Sequence, residues 1–338
     1  MMGRDWLRLP KRLQSQWAET AFLFWRRRGF PYIEMTPTEV NLELSWLLKT
    51  KPETFIQGDL LRVSMLGLRS ANFFHPQMWH VPVHDYKTVF ERYQDDASLK
   101  DCIRKAFYFF PNRNSVNAQC LRSTLRIYRG TTRVSNFRPT VARSICARYS
   151  NNSATVLDFS AGYGGRLLGC MTLPRHYVGI DPCSHQVEGL NRTIDCVKGR
   201  LPGTASIIQA CAEEEMDNLA RNSVDLVFSS PPYFNHERYS EEPTQSYIRY
   251  PTYQEWKARF LRQVIKASHR VLKHRGFLVL NVADLPGIPL VRDALDFCEE
   301  HFKMHSRLRM PLYRFPLQRN LMEETFKYES IFIFRKEA

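Results

Sequence analysis

The chain lacks cysteines at metal-ligand or redox spacing. Its eight cysteines form neither a Cys-x-x-Cys pair nor a tight cluster, so neither a zinc site nor a disulfide framework finds support. The expectation is reduced thiols in an intracellular, cytoplasmic protein, at the nucleoid if it binds DNA. No run of about 18 apolar residues occurs, which excludes an ordinary membrane-spanning helix. The amino-terminal stretch MMGRDWLRLPKRL lacks the apolar core of a secretion signal. There is no internal repeat and no low-complexity tract. Global disorder is excluded by a 13% aromatic content. Acid is scarce against base, with 34 Asp and Glu facing 48 Lys and Arg for a net charge of +14. That surplus suits a polyanionic partner, of which nucleic acid is the commonest. It is spread along the chain: residues 1–130 hold 20 basic and 12 acidic residues, and the remainder 28 and 22.

What is present divides near residue 130. The 338 residues allow one large domain or two modest ones. In residues 1–130 strand-like runs are few. Leu13, Trp17, Ala21, Phe24 and Trp25 recur at helical spacing over 12–28, and Gly29 and Pro31 end that run. Thr36-Pro37-Thr38-Glu39 reads as an N-cap with proline at the first helical position, opening a helix to about Thr50. Residues 97–110 read as another helix, and the stretch from Asn72 to Tyr93 resists assignment. This mainly helical region is the candidate for target recognition. Residues 131–338 are the candidate catalytic domain. There, apolar runs at Thr155–Phe159, Tyr177–Ile180, Ala205–Gln209, Val224–Ser229 and Phe277–Val282, with a last candidate at Lys327–Arg335, alternate with helical patterns at 184–198, 253–273 and 288–301. Strand–helix alternation with continuously apolar strands predicts an α/β fold whose parallel sheet is covered on both faces. Such sheets bind ligands beyond the carboxyl ends of their strands, where strand order reverses.

Two such ends carry chemistry. The first strand runs into Asp158-Phe-Ser160-Ala-Gly162-Tyr-Gly164-Gly165, where glycines permit unusual backbone angles and close approach of a ligand. The next strand ends in Asp181, placed to accept hydrogen bonds from two ribose hydroxyls. The third glycine of a dinucleotide fingerprint comes too early, and Asp158 suits a cation better than a pyrophosphate. The combination points to S-adenosylmethionine. The fourth strand ends in Ser230-Pro231-Pro232-Tyr233. Consecutive prolines forbid helix and central strand and fix a rigid turn. Acceptors at Ser230 Oγ and the Pro231 carbonyl suit a planar amino-bearing base, with Tyr233 stacked on the ring. An exocyclic amine held there is favoured in a pyramidal form, and its freed lone pair can attack a sulfonium methyl in line. No Pro-Cys nucleophile is present for methylation at a ring carbon.

On these residues, from about 134 to 283, the chain resembles the DNA methyltransferases that act on cytosine N4 or adenine N6. The resemblance implies a Rossmann-like class I methyltransferase fold with a mostly parallel, seven-stranded sheet. Asn136-Phe137-Arg138-Pro139 looks like the family's cofactor-contacting segment. Asp158 to Gly164, including Ser160, looks like the methionine-binding loop, and Asp181 like the ribose acid. Ser230 to Tyr233 looks like the catalytic motif, its leading serine being more typical of cytosine N4 enzymes. Cys211 stands where the family often has an acid near the cofactor adenine, with Glu213 two residues on. The implied partner is duplex DNA with its target base flipped out, as in restriction–modification systems. Adenine N6, an RNA base, and an inactive nucleic-acid-binding subunit stay open. Phe234, Arg238, Tyr239, Tyr247 and Arg249 follow the catalytic turn, and aromatics interleaved with arginine suit an extruded base and its backbone. No metal is expected: Pro76 and Pro82 break any helix among His75, His80 and His84. Arg26-Arg27-Arg28, at a helix end, reads equally as a phosphate contact or as a solvated helix C-terminus, whereas Lys11-Arg12 and the run from Arg307 to Arg314 read as surface charge.

Overall fold

A computed structural model describes residues 8–110, 116–128, 131, 134–312 and 328–337. Arg314 and Lys327, named above, lie outside these residues. The chain forms two compact units that interleave along the sequence. One takes the residues up to Glu34, then Pro76–Ser135 and Glu237–Tyr239; the other takes Met35–His75, Asn136–His236 and Ser240–Ala338. The division expected near residue 130 is therefore displaced, because residues 35–75 fold with the sheet.

The first unit is helical. Its α1 (Lys11–Arg28) buries Ala18, Phe22 and Trp25. Next in the chain, α2 (Pro37–Lys49) and α3 (Leu68–Phe73) belong to the second unit. The helical unit continues with α4 (Val89–Gln94), α5 (Asp96–Phe109) and α6 (Ala118–Arg126). Tyr93 donates its hydroxyl to the Trp25 carbonyl at 2.5 Å, tying α4 to α1. The stretch that resisted assignment contains the end of α3, a 3-10 turn at Pro76–Trp79 and most of α4. Elements this short leave no readable periodicity.

The reason α2 joins the sheet unit is its apolar spacing. Val40, Leu44 and Leu47 are buried in one core cluster with Val141 and Ile145 of α7 (Pro139–Tyr149). The helix begins as expected, with a reciprocal box: Glu39 N–H donates to Thr36 Oγ1 at 3.2 Å, and Thr36 N–H to Glu39 Oε2 at 2.8 Å.

Among the described residues the sheet has nine strands rather than seven, in the order β1-β2-β8-β9-β7-β6-β3-β4-β5. These are β1 (Ile56–Gln57), β2 (Leu60–Leu61), β3 (Thr155–Asp158), β4 (His176–Asp181), β5 (Thr204–Gln209), β6 (Val224–Ser229), β7 (Leu272–Val282), β8 (Lys303–Pro311) and β9 (Tyr328–Arg335). The two extra strands form a hairpin that meets β8 through the pair Leu60–Arg309. Strands β3 to β7 pair in parallel, and β9 runs antiparallel between β7 and β8. This is a Rossmann-like α/β sheet. Successive β3 residues enter opposite cores, Val156 toward α7, α8 (Gly165–Met171) and α9 (Ser184–Val197). Leu157 faces α10 (Ala212–Asn218) and the helical run at 253–271. That run was expected to be one helix; it carries a π turn at Lys257–Leu261. Two further helices are α11 (Ser246–Arg249) and α12 (Leu290–Glu299). Among the described residues no helix is long and apolar enough to cross a membrane. From β3 the chain adds β4 and β5 on one side, then crosses to β6 and β7 on the other. The reversal lies between β3 and β6, the edge where a crevice forms in such sheets.

Candidate active site

The glycine loop leaves β3 at Asp158 and enters α8 at Gly165. Gly162 and Gly164 have φ of 59° and 74°, the left-handed region that costs a side-chain-bearing residue. Gly165 is needed for space instead. A Cβ there would lie 1.9 Å from the Phe137 carbonyl oxygen and 2.5 Å from Asn136 Oδ1. Asn136, first residue of the segment expected to contact cofactor, bonds to the loop itself. It accepts from Gly165 N–H at 3.1 Å and donates to the Tyr163 carbonyl at 2.7 Å and to Asn72 Oδ1 at 2.9 Å. The segment 136–139 thus braces the loop. The Phe137 ring meets Phe228 edge-on at 5.4 Å, Arg138 reaches Met310 Sδ at 3.7 Å, and Pro139 is buried in the first turn of α7.

Asp158 corrects one expectation. It was read as facing a cationic ligand, but it is fully buried and its charge is already answered. Oδ2 accepts from Arg166 Nε at 2.6 Å and from Tyr177 Oη at 2.7 Å. Oδ1 accepts from Ser229 Oγ at 2.7 Å, Ser160 N–H at 3.2 Å and Arg166 Nη2 at 3.3 Å. Arg166 also donates to the Ser160 carbonyl. Ser160 therefore spends both its backbone groups inside this hub. The cluster joins β3, β4, β6 and α8, and it crosses the switch point through the Ser229–Asp158 bond.

Asp181 ends β4 and sits beside the loop. Oδ2 accepts from Gly162 N–H at 2.8 Å and Oδ1 from Cys183 N–H at 3.0 Å. With its amide nitrogen turned to the carboxylate, Gln186 donates to Oδ1 at 2.6 Å and to Oδ2 at 3.1 Å. Burial pushes this carboxyl up to about 7, against the opposing pull of the two backbone donors. A raised folded-state value means the folded chain holds a proton that the unfolded chain releases. This group's contribution to stability is therefore greatest below the ordinary carboxylate range and is lost as pH rises through about 7. Urea unfolding of Asp181→Asn is expected to show a flatter pH dependence than the wild type over that window. An unchanged slope would mean the carboxyl titrates normally.

The Ser-Pro-Pro-Tyr turn follows β6. Ser230 Oγ donates to the Asn281 carbonyl at 3.0 Å, so its proton is committed to β7 and its lone pairs are what it offers. Pro231 is buried, Pro232 half-buried. Tyr233 is half-buried and donates its hydroxyl to Glu329 Oε1 of β9 at 2.7 Å.

Beyond the turn, two further expectations are corrected, those for Phe234 and Arg249. Phe234 is only 6% exposed, has φ of 54°, and packs against Tyr253 and Trp256 at 5.7 and 6.0 Å; it is a core residue, not a stacking platform. Tyr247 donates to the Ser240 carbonyl at 2.6 Å. Arg249 is paired with Glu213 at 2.6 Å and with Glu214, so no unpaired guanidinium is offered to a phosphate. Arg238 and Tyr239 fold with the helical unit, where Arg238 N–H donates to the Pro82 carbonyl at 3.2 Å. Cys211 precedes α10, its thiol 3.4 Å from the Thr244 carbonyl and pushed up by burial. Glu213 turns to Arg249 and to Tyr250, 3.1 Å away. Of the three histidines, His75 belongs to the sheet unit, with its ring 5.5 Å from Tyr163. Burial lowers it to about 3. His80 and His84 belong to the helical unit. Among the described residues no three His, Cys, Asp or Glu side chains are grouped to hold a metal ion.

No protein-family model and no curated sequence matches the chain. Its course is similar to those of solved structures at low identity. With TrmN from Thermus thermophilus it shares 12% identity over 59% of this chain and 48% of that one, at a TM-score of 0.41. The match thus spans about half the length of that protein. With the tRNA (m1A58) methyltransferase TrmI from Aquifex aeolicus the figures are 11%, 61%, 71% and 0.41. With a SAM-dependent O-methyltransferase from Thermotoga maritima they are 11%, 61%, 68% and 0.39.

Proposed function

We propose that this chain is an S-adenosylmethionine-dependent methyltransferase acting on an exocyclic base amine of nucleic acid, with cytosine N4 of duplex DNA as the first candidate. The observation that carries the reading is the Ser229–Asp158 hydrogen bond at 2.7 Å. It sets the glycine loop and the Ser-Pro-Pro-Tyr turn side by side at the reversal of strand order, where a methyl donor and a base amine would have to meet.

The residues fit the cofactor. A Cβ on Gly162 would meet nothing nearer than the Ser160 carbonyl oxygen at 3.7 Å, so this left-handed turn leaves room for a ligand against the backbone. Gly162 and Gly164 would line the methionine end and Asp181 the ribose. When bound, S-adenosylmethionine supplies a methyl group on a sulfonium. The chain's own part is to hold the acceptor. The Ser230 lone pairs and the Pro231 carbonyl take the amine protons, which draws the nitrogen toward a pyramidal form, and the Tyr233 ring stacks on the base. Positioning supplies most of the rate, since the turn holds no strong base. The amine proton leaves to water. The basic surplus over both halves of the chain supplies the phosphate attraction that any nucleic acid needs.

The test is incubation with labelled S-adenosylmethionine and, separately, unmethylated duplex DNA and bulk RNA, followed by digestion to nucleosides and mass spectrometry. N4-methylcytosine from DNA is the expected product. N6-methyladenine would move the target base, and product from RNA alone would move the substrate. Absence of cofactor binding would leave a nucleic-acid-binding subunit. Tyr233→Ala is expected to cut transfer by about 10- to 100-fold, the worth of one base–aromatic stack, without weakening cofactor binding.

A further inference from the structure

Glu329 plays no part in the sequence motif, and nothing so far assigns it a role. It lies at the start of β9, which runs antiparallel to β7 with Ser330 opposite Val282. The amino-terminal end of β9 therefore stands at the same edge as the carboxyl ends of the parallel strands. Glu329 comes from 96 residues away to accept the Tyr233 hydroxyl at 2.7 Å. It is half-buried, and among the described residues it makes no ion pair.

We propose that Glu329 is a positioning residue for base methylation, acting through Tyr233. The inference rests on the function proposed above. A phenol donating to a carboxylate forms a charge-assisted bond, stronger and more directional than one to a neutral acceptor. It fixes the plane of the ring, and it shifts electron density from oxygen into the ring. The face of an aromatic ring is its negative region. A base amine that takes a methyl group gains positive charge until its proton departs, and a cation over an electron-rich face is stabilised. Glu329 thus favours the charged stage of the reaction over the bound neutral base. Its effect belongs in kcat rather than KM.

The experiment is a double-mutant cycle on the full chain, read as kcat and KM for methyl transfer, with cofactor affinity and unfolding midpoint recorded for each protein. Glu329→Gln keeps an acceptor and removes the charge. It is expected to lower kcat by about 2- to 30-fold, the range of a cation–ring contact, with KM unchanged. Tyr233→Phe, which keeps the ring and removes the donor, should show a comparable loss. The pair together should be no worse than Tyr233→Phe alone, since Glu329 then has nothing to act through. Losses that multiply in the double variant would overturn the proposal and make Glu329 a strand residue of purely structural effect, as would a loss confined to KM. A wild-type chain that binds S-adenosylmethionine yet methylates no nucleic acid would overturn the proposed function and this inference together. Multiplying losses in an active enzyme would overturn this inference alone.

Discussion

Replacing Arg166 by alanine is expected to lower the melting temperature by roughly 6–20 °C, from a loss of about 3–5 kcal/mol. The substitution leaves Asp158 fully buried with its guanidinium partner gone. Removing one member of a buried pair strands a charge in a medium that solvates it poorly, which costs more than the intact pair contributes. Tyr177 and Ser229 would still donate, so the chain should fold but with a slack switch point. Asp158→Asn in the Arg166→Ala background removes the stranded charge and should recover part of the loss. Calorimetry of the three proteins decides it. A shift of under about 2 °C for Arg166→Ala would mean that water reaches the carboxylate and that the hub is not a buried pair.

Gly165→Ala has the second large effect, this time on binding. Its Cβ would sit 1.9 Å from one backbone carbonyl oxygen, a separation no flexible side chain can relieve. Either the segment 136–139 or the start of α8 has to move, and with it the Asn136 bonds to Gly165 and Tyr163. Overpacking against backbone costs about 1–3 kcal/mol or more. The loop also leaves its cradle geometry, so titration calorimetry should show cofactor affinity down at least about tenfold. Gly199→Ala is the control. Gly199 also has a left-handed φ, 73°, but its Cβ would meet nothing within 4 Å. It should lose about 1 kcal/mol of stability and keep its affinity. Equal affinities in the two variants would detach the glycine loop from cofactor binding.

What the sequence made legible follows from the range of the interactions involved. The strand expected at Val224–Ser229 appears with those bounds, because a buried parallel strand is written locally as an apolar run. The strand Lys303–Pro311 was read partly as surface charge. Its buried residues are Leu308 and Met310, set among Lys303, Arg307 and Arg309, and the alternation is too short to stand out. The glycine loop and the Ser-Pro-Pro-Tyr turn were visible as backbone chemistry, which glycine and proline announce at their own positions. Partners were not. Asp158 looked free because Tyr177 and Ser229 reach it from neighbouring strands, and strand adjacency is not written in either residue. Arg166 stood in plain view, but only the geometry of α8, whose first turn follows the loop, turns it back to the strand end. Arg249 looked like a phosphate contact because Glu213 and Glu214 lie 36 and 35 residues earlier in the chain. Glu329 belongs to a different strand altogether.

The interleaving of the two units has a consequence for how the protein is made. A ribosome adds about 5–20 residues per second, and the first stretch of the helical unit emerges long before its later stretches. Residues up to Glu34 wait for Pro76–Ser135, and the unit gains its last three residues, Glu237–Tyr239, only after β6 has been synthesised. Meanwhile α2, already made, waits for α7 to cover Val40, Leu44 and Leu47. Neither unit can be cut out as one continuous piece, so a gene fragment ending at residue 130 would carry an unfinished helical unit and an orphaned part of the sheet's core.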